Sequence, residues 1–294
     1  MSHTKNVDRA SPGCILFCVD HSNSMIDPFS GSDRRKIDAV ANGLNRFFTD
    51  LISACEKGED KPRNYFDIGA IGYTTDNQGR PIIDTLFQGP LAGRDLVSVV
   101  ELYDNPLTIE KRMKKEPQDD GAGGVIFIET EIDFPVWYQP PTPDKMFGTP
   151  MVSGFRRCQE IATKWCEEHP SSFPPIVIHL TDGESTEDGY EQAATDLKSV
   201  ATSDGNLLLF NCHLSHQTAD PVFFPSNDGV LPDDYSKALF RMSSELPDRI
   251  RHTAEIKGIS AQPGTRGMAF NADSARMLLL INVGTAVADA KNLR

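Results

Sequence analysis

The sequence predicts an α/β fold, a doubly wound, mostly parallel sheet with one antiparallel edge strand. Three observations predict it. The run "CILFCVD" (14–20) is continuously apolar up to its Asp, as expected of a strand covered on both faces, and "PIVIHLTD" (175–182) and "NLLLFNCHLS" (206–215) read as further buried strands. Stretches of helical period separate them. Early in the chain, "YFDIGAIGYT" (65–74) and "PIIDTLFQG" (81–89) flank the turn-like "TDNQGR", which supplies the antiparallel edge.

The elements follow in order. After the first strand, Ile37, Val40, Leu44, Phe47, Phe48, Leu51 and Ile52 trace one stripe of a helix over 35–54. A short helix fits 94–103. A longer one fits 150–169, ended by the proline of "EEHP". Helices are expected again at 189–203, 235–245 and 273–281. Residues 1–11 are polar and are expected to be disordered, leaving 12–294 as one domain. That domain has an insertion at about 90–146 and a helical C-terminal extension at about 217–294.

The 294 residues are ample for one large buried core. Lys and Arg total 29 against 42 Asp and Glu, a net charge of −13. A chain so acidic, with "KRMKK" at 111–115 as its one basic tract, is a poor match for nucleic acid or an acidic membrane surface. No apolar signal segment opens the chain and no run is long enough to span a bilayer. Six cysteines without CxxC spacing read as reduced thiols, and a cytoplasmic location is expected. "CHLSH" (212–216) lacks the second ligand pair of a zinc site.

Three loops gather oxygen. "DHSNS" (20–24) and "LTDGES" (180–185) follow buried strands, and "FGTPM" (147–151) opens a helix. They offer Asp20, Ser22, Ser24, Thr149 and Asp182, two carboxylates and three hydroxyls of the kind that suit a hard divalent cation. Taken one at a time, such residues also serve Asx turns and helix caps. In order and context the three motifs resemble the von Willebrand factor A domain with its metal-ion-dependent adhesion site. Asp20, Ser22 and Ser24 match D-x-S-x-S, Thr149 the family threonine and Asp182 the distal aspartate. Asn23 stands where cytoplasmic members often carry glycine; asparagine tolerates the same backbone.

The resemblance implies a metal-dependent protein–protein interaction module, not an enzyme. It would hold Mg2+, with Mn2+ or Ca2+ as substitutes, and a partner's Asp or Glu would complete the coordination. A solvent-facing metal loop further implies that Asp182→Ala leaves the fold intact. "DNP" (104–106), "DGAGG", "FPVW" and the tail resemble stand-alone bacterial cytoplasmic members found alongside protein kinases and serine/threonine phosphatases, which implies a signalling or stress complex. Two rivals stand: a metal-dependent hydrolase with Glu184, His21 or His179 as base, and a scaffold with a vestigial site. Pro150 stands where a subtilisin-like nucleophile would be, and no phosphate-binding glycine loop is present.

In the insertion, "VIFIETEIDFPVWY" alternates as an extended arm would, with "DDGAGG" (119–124) as its turn. Trp137 and Tyr138 fit an interface or a cover for an open sheet edge equally well.

Overall fold

In the computed structural model, residues 3–29, 33–119, 125–214 and 220–285 are described. The strands are β1 (Gly13–Asp20), β2 (Phe66–Thr75), β3 (Pro81–Thr85), β4 (Val97–Ser98), β5 (Thr108–Asp119), β6 (Val125–Val136), β7 (Ile176–Thr181), β8 (Ala201–Thr202), β9 (Gly205–Asn206), β10 (Leu208–Leu214), β11 (Val222–Phe223) and β12 (Met268–Ala272). The helices are α1 (Lys36–Glu56), α2 (Val99–Asp104), α3 (Met151–Glu168), α4 (Tyr190–Ser199), α5 (Asp234–Met242), α6 (Asp248–Ile256) and α7 (Ser274–Gly284).

Eight strands form the main sheet in the order β11-β12-β10-β7-β1-β2-β3, with β4 beside β2. Strands β12, β10, β7, β1 and β2 run parallel. Strands β3 and β4 run antiparallel to β2, and β11 antiparallel to β12. The expected doubly wound class with one antiparallel edge is therefore corrected to a mixed sheet with antiparallel strands at both edges. The cause lies in two segments. The C-terminal extension, expected to be helical, contributes β11 and β12, and the insertion contributes β4.

Two apolar cores lie on the two faces of the sheet. Ile15, Phe17 and Val19 of β1 point to one, with α1, α2, α6 and α7; Cys14, Leu16 and Cys18 point to the other, with α3, α4 and α5. The six cysteines are free and buried. Trp137 and Tyr138 are buried too. The Asn45 side-chain oxygen accepts from both of their backbone N–H groups, and the Trp137 indole donates to the Leu102 carbonyl. They cover the core and do not stand ready for a partner.

The Phe210 ring lies against Gly267 and Gly284, where an added Cβ would meet it at 1.9 and 2.5 Å. Gly267→Ala is therefore expected to destabilise the protein by about 1–3 kcal/mol through overpacking. Urea unfolding would check it, and a variant as stable as wild type would contradict this packing.

Residues 3–11, expected to be disordered, lie against the body. Asp204 accepts from the Thr4 and Lys5 backbones, and Val7 is buried. In the insertion, β5 and β6 pair with each other in register from Thr108↔Val136 to Asp119↔Val125, a two-stranded arm outside the main sheet. The Arg112 guanidinium covers Phe134 and donates to Asn42, tying the base of the arm to α1. Each strand of the arm carries one proline, Pro117 opposite Phe127 and Pro135 opposite Ile109. Residues 120–124 of the expected "DDGAGG" turn, Ser215 and His216 of "CHLSH", and the end of the extension from 286 lie outside the described residues.

Candidate functional site

Strands β1 and β7 are parallel neighbours in register through Val19↔Leu180, so the loops after them emerge side by side at their carboxyl ends. That placement makes Asp20 and Asp182 neighbours although they are far apart in sequence. Asp20 is fully buried; its Oδ1 accepts from the Ser22 N–H at 2.7 Å and its Oδ2 from the Thr181 hydroxyl at 2.7 Å. Ser22 and Ser24 share a hydrogen bond between their hydroxyls at 3.0 Å. The Ser24 hydroxyl donates to Asp182 Oδ1 at 2.7 Å. Burial, with the nearby Asp182 charge, pushes the Asp20 carboxyl up to about 7, against the lowering effect of the Thr181 and Ser22 hydrogen bonds.

The third loop joins through its backbone. The Asn23 N–H donates to the Phe147 carbonyl, and the Thr149 carbonyl accepts from Thr186 and Met151. Thr149 is buried, and the contacts that bind it to the loop after β7 are made by that carbonyl. All five residues singled out from the sequence thus lie in one three-loop cluster, with Asp20, Ser22, Ser24 and Asp182 in a connected hydrogen-bond chain.

Three further residues belong to it and were not foreseen. Thr181 holds Asp20, and the Tyr235 hydroxyl of α5 donates to the Gly183 carbonyl. Most important is Lys36, the first residue of α1, whose ammonium lies 2.6 Å from Asp182 Oδ2 and 3.2 Å from the Ser24 carbonyl. The side chains of Lys36 and Asp182 are 2% and 0% exposed. A signal for Lys36 exists in the sequence: a lysine opening a helix faces the positive end of the helix dipole, which is unfavourable without a carboxylate to meet it.

Both Asp182 oxygens are engaged, one by a hydroxyl and one by an ammonium, and both Asp20 oxygens accept bonds from within the loops. A divalent ion touching Asp182 would sit beside a buried positive charge. These residues, arranged so, do not fit Mg2+. Among the described residues no group of three or more His, Cys, Asp and Glu is placed to hold a metal ion.

Of the three bases expected of a hydrolase, His179 and His21 are committed elsewhere, and Glu184 is exposed. His179 is fully buried, with Nε2 2.7 Å from the Tyr73 hydroxyl and Nδ1 2.8 Å from Asn211 Oδ1. His21 Nε2 lies 2.7 Å from the Tyr138 hydroxyl. Burial lowers both imidazoles to about 4.

No family model matches the chain, and no curated protein matches it. Among solved structures it is similar to the pilus adhesin SpaC from Lactobacillus rhamnosus GG, at 13% identity and a TM-score of 0.46 over 95% of this chain and 31% of that one. It is similar also to the minor pilin PilB from Streptococcus sanguinis, at 9% identity and a TM-score of 0.44 over 97% of this chain and 62% of that one. Proximal thread matrix protein 1 of the mussel byssus gives 10% identity and a TM-score of 0.40 over 97% and 48%. The chain spans less than two thirds of the length of each.

At these scores the likeness assigns neither family nor function. The site's own geometry corrects the assignment to the von Willebrand factor A family, its metal-ion-dependent adhesion site and the metal-dependent interaction built on it. No metal-holding group of His, Cys, Asp and Glu is found among the described residues, and Asp182 is met by an ammonium. The motifs bring the loops together, but the cation that meets them is a lysine.

Proposed function

We propose that this chain is a non-catalytic protein-binding module whose partner docks on the β5–β6 arm. The observation that supports this reading is the apolar surface of the arm. Ile109, Met113, Ile126, Phe127 and Ile128 are 41–67% exposed, half of the ten large apolar side chains exposed among the described residues. A two-stranded ribbon is marginal in water on its own, and covering these side chains would stabilise it.

The chemistry of the arm favours one kind of partner, an extended segment alternating apolar and acidic residues that adds to the outer edge of β5. Lys111, Arg112, Lys114 and Lys115 cluster on β5, whereas Glu129, Glu131 and Asp133 line β6. Lys111 pairs across the ribbon with Glu131 and Asp133, and Lys115 with Glu129, so an acidic strand added at β5 would share these cations, whereas one added at β6 would meet carboxylates alone. Nucleic acid and acidic membranes remain poor partners for a chain of net charge −13. The commitment of His21 and His179 to buried tyrosines supports a non-catalytic role, and six free, buried thiols suit the cytoplasm.

A randomised peptide display selection on the full chain tests this. The enriched peptides are expected to alternate apolar residues with Asp or Glu, and to bind Met113→Ser/Phe127→Ser at least about tenfold more weakly, a difference of roughly 1.4 kcal/mol. Peptides that bind wild type and variant equally would remove the arm from the binding surface. A concentration-dependent dimer in sedimentation, lost in the variant, would replace the peptide with a second copy of the chain.

A further inference from the structure

We infer that Lys36 is the resident cation of the three-loop cluster, closing it by an internal ion pair where the motif's oxygens would otherwise call for a metal ion. Its ammonium ties two loops at once, bonding the Ser24 carbonyl after β1 and Asp182 after β7. The backbone fixes the origin of the side chain, since the Lys36 N–H donates to the Asp27 carbonyl. Asp27 adds a more distant carboxylate, 3.9 Å from the ammonium and more than half exposed.

The burial of both partners gives the pair its weight. An ammonium and a carboxylate taken out of water need each other, and removing either leaves the other uncompensated. Lys36 also opens α1, where the helix dipole disfavours a cation, so the Asp182 carboxylate offsets two unfavourable terms together. A divalent ion could reach Asp182 only by displacing the ammonium. Conversely, a chain without the ammonium would present Asp20, Ser22, Ser24 and Asp182 as an anionic oxygen set, which suits a hard cation.

Exchanging Lys36 for methionine keeps the length of the side chain and removes its charge, so a metal requirement should appear where none exists. The test is a titration of wild type and Lys36→Met with Mn2+ alone, followed by water-proton relaxation and by thermal unfolding with and without chelator. Wild type is expected to show no saturable Mn2+ site and the same melting temperature in chelator. Lys36→Met is expected to take up one Mn2+ per chain and to melt several degrees higher with the ion than in chelator. One saturable Mn2+ on wild type overturns the inference, as does a folded Lys36→Met that takes up none. Where Lys36→Met does not fold, the wild-type titration decides: a saturable site overturns the inference, and no site with unchanged melting in chelator supports it.

Discussion

Asp182→Ala is expected to destabilise the protein by about 3–5 kcal/mol, because it leaves the buried Lys36 ammonium without a counter-charge. Most single substitutions cost far less, and the total stability of a domain is only about 5–15 kcal/mol. The variant should therefore lose a large part of its resistance to urea at neutral pH. The double variant Lys36→Met/Asp182→Leu should recover much of the loss, since an apolar pair can replace a buried ion pair at little cost. A single variant within about 1 kcal/mol of wild type would show that the ion pair does not hold the loops. The expected loss is the opposite of the intact fold that a solvent-facing metal loop implies, so one unfolding curve separates the two.

The second large effect is on acid stability. Burial lowers His21, His179 and His213 to about 4 from an ordinary value of 6.5. A histidine depressed in the folded state binds protons more readily when unfolded. Its contribution is fully present above about pH 6.5 and is lost as pH falls toward 4. Each contributes up to about 3 kcal/mol, roughly 2.5 units at 1.36 kcal/mol per unit. Asp20 acts in the opposite sense. Raised to about 7, it favours the folded state when protonated, and that contribution of about 4 kcal/mol is lost as pH rises from about 4 to 7. Three histidines outweigh one carboxyl, so the net expectation is a protein that weakens between pH 6.5 and 4. His179→Gln should reduce the net slope of unfolding free energy against pH in that window by about half, since three histidines less one carboxyl leave a difference of two protons and the variant removes one. An unchanged slope would mean that His179 does not titrate on unfolding.

The strands legible in the sequence are those whose residues are apolar on both faces. In β1, β7 and β10 every residue is buried, and clusters of apolar residues mark each of them although His179, Asn211 and His213 interrupt the last two. Strand β12 escaped notice because its five residues include Asn271, at φ 52° and in the left-handed region, and sit in a tail dominated by polar residues. Helix α6 buries only Ile250 and Ala254 and offers too narrow a stripe to read. The omission of β12, with that of β11, is why the expected sheet lacked its second antiparallel edge. At the site, the convergence of three loops was legible, because parallel neighbours deliver their following loops to one end of the sheet. The cation was not. A lysine reads first as solvated surface; its place at the opening of a helix is the one cue in the sequence, and the packing against Asp182 supplies the partner.

The two prolines of the arm have a consequence for colloidal behaviour. A long exposed ribbon with apolar side chains is an aggregation hazard, because its open edges can template further strands without limit. Proline offers no N–H to an added strand and is tolerated in a ribbon where its nitrogen faces outward. Pro117 near the outer end of β5 and Pro135 near the base of β6 therefore interrupt the two edges in turn. The uninterrupted part of the β5 edge runs from Thr108 to Glu116, room for one short strand, and its lysines repel an identical edge. An arm built this way can accept a single visiting segment while resisting growth into a fibre of its own copies.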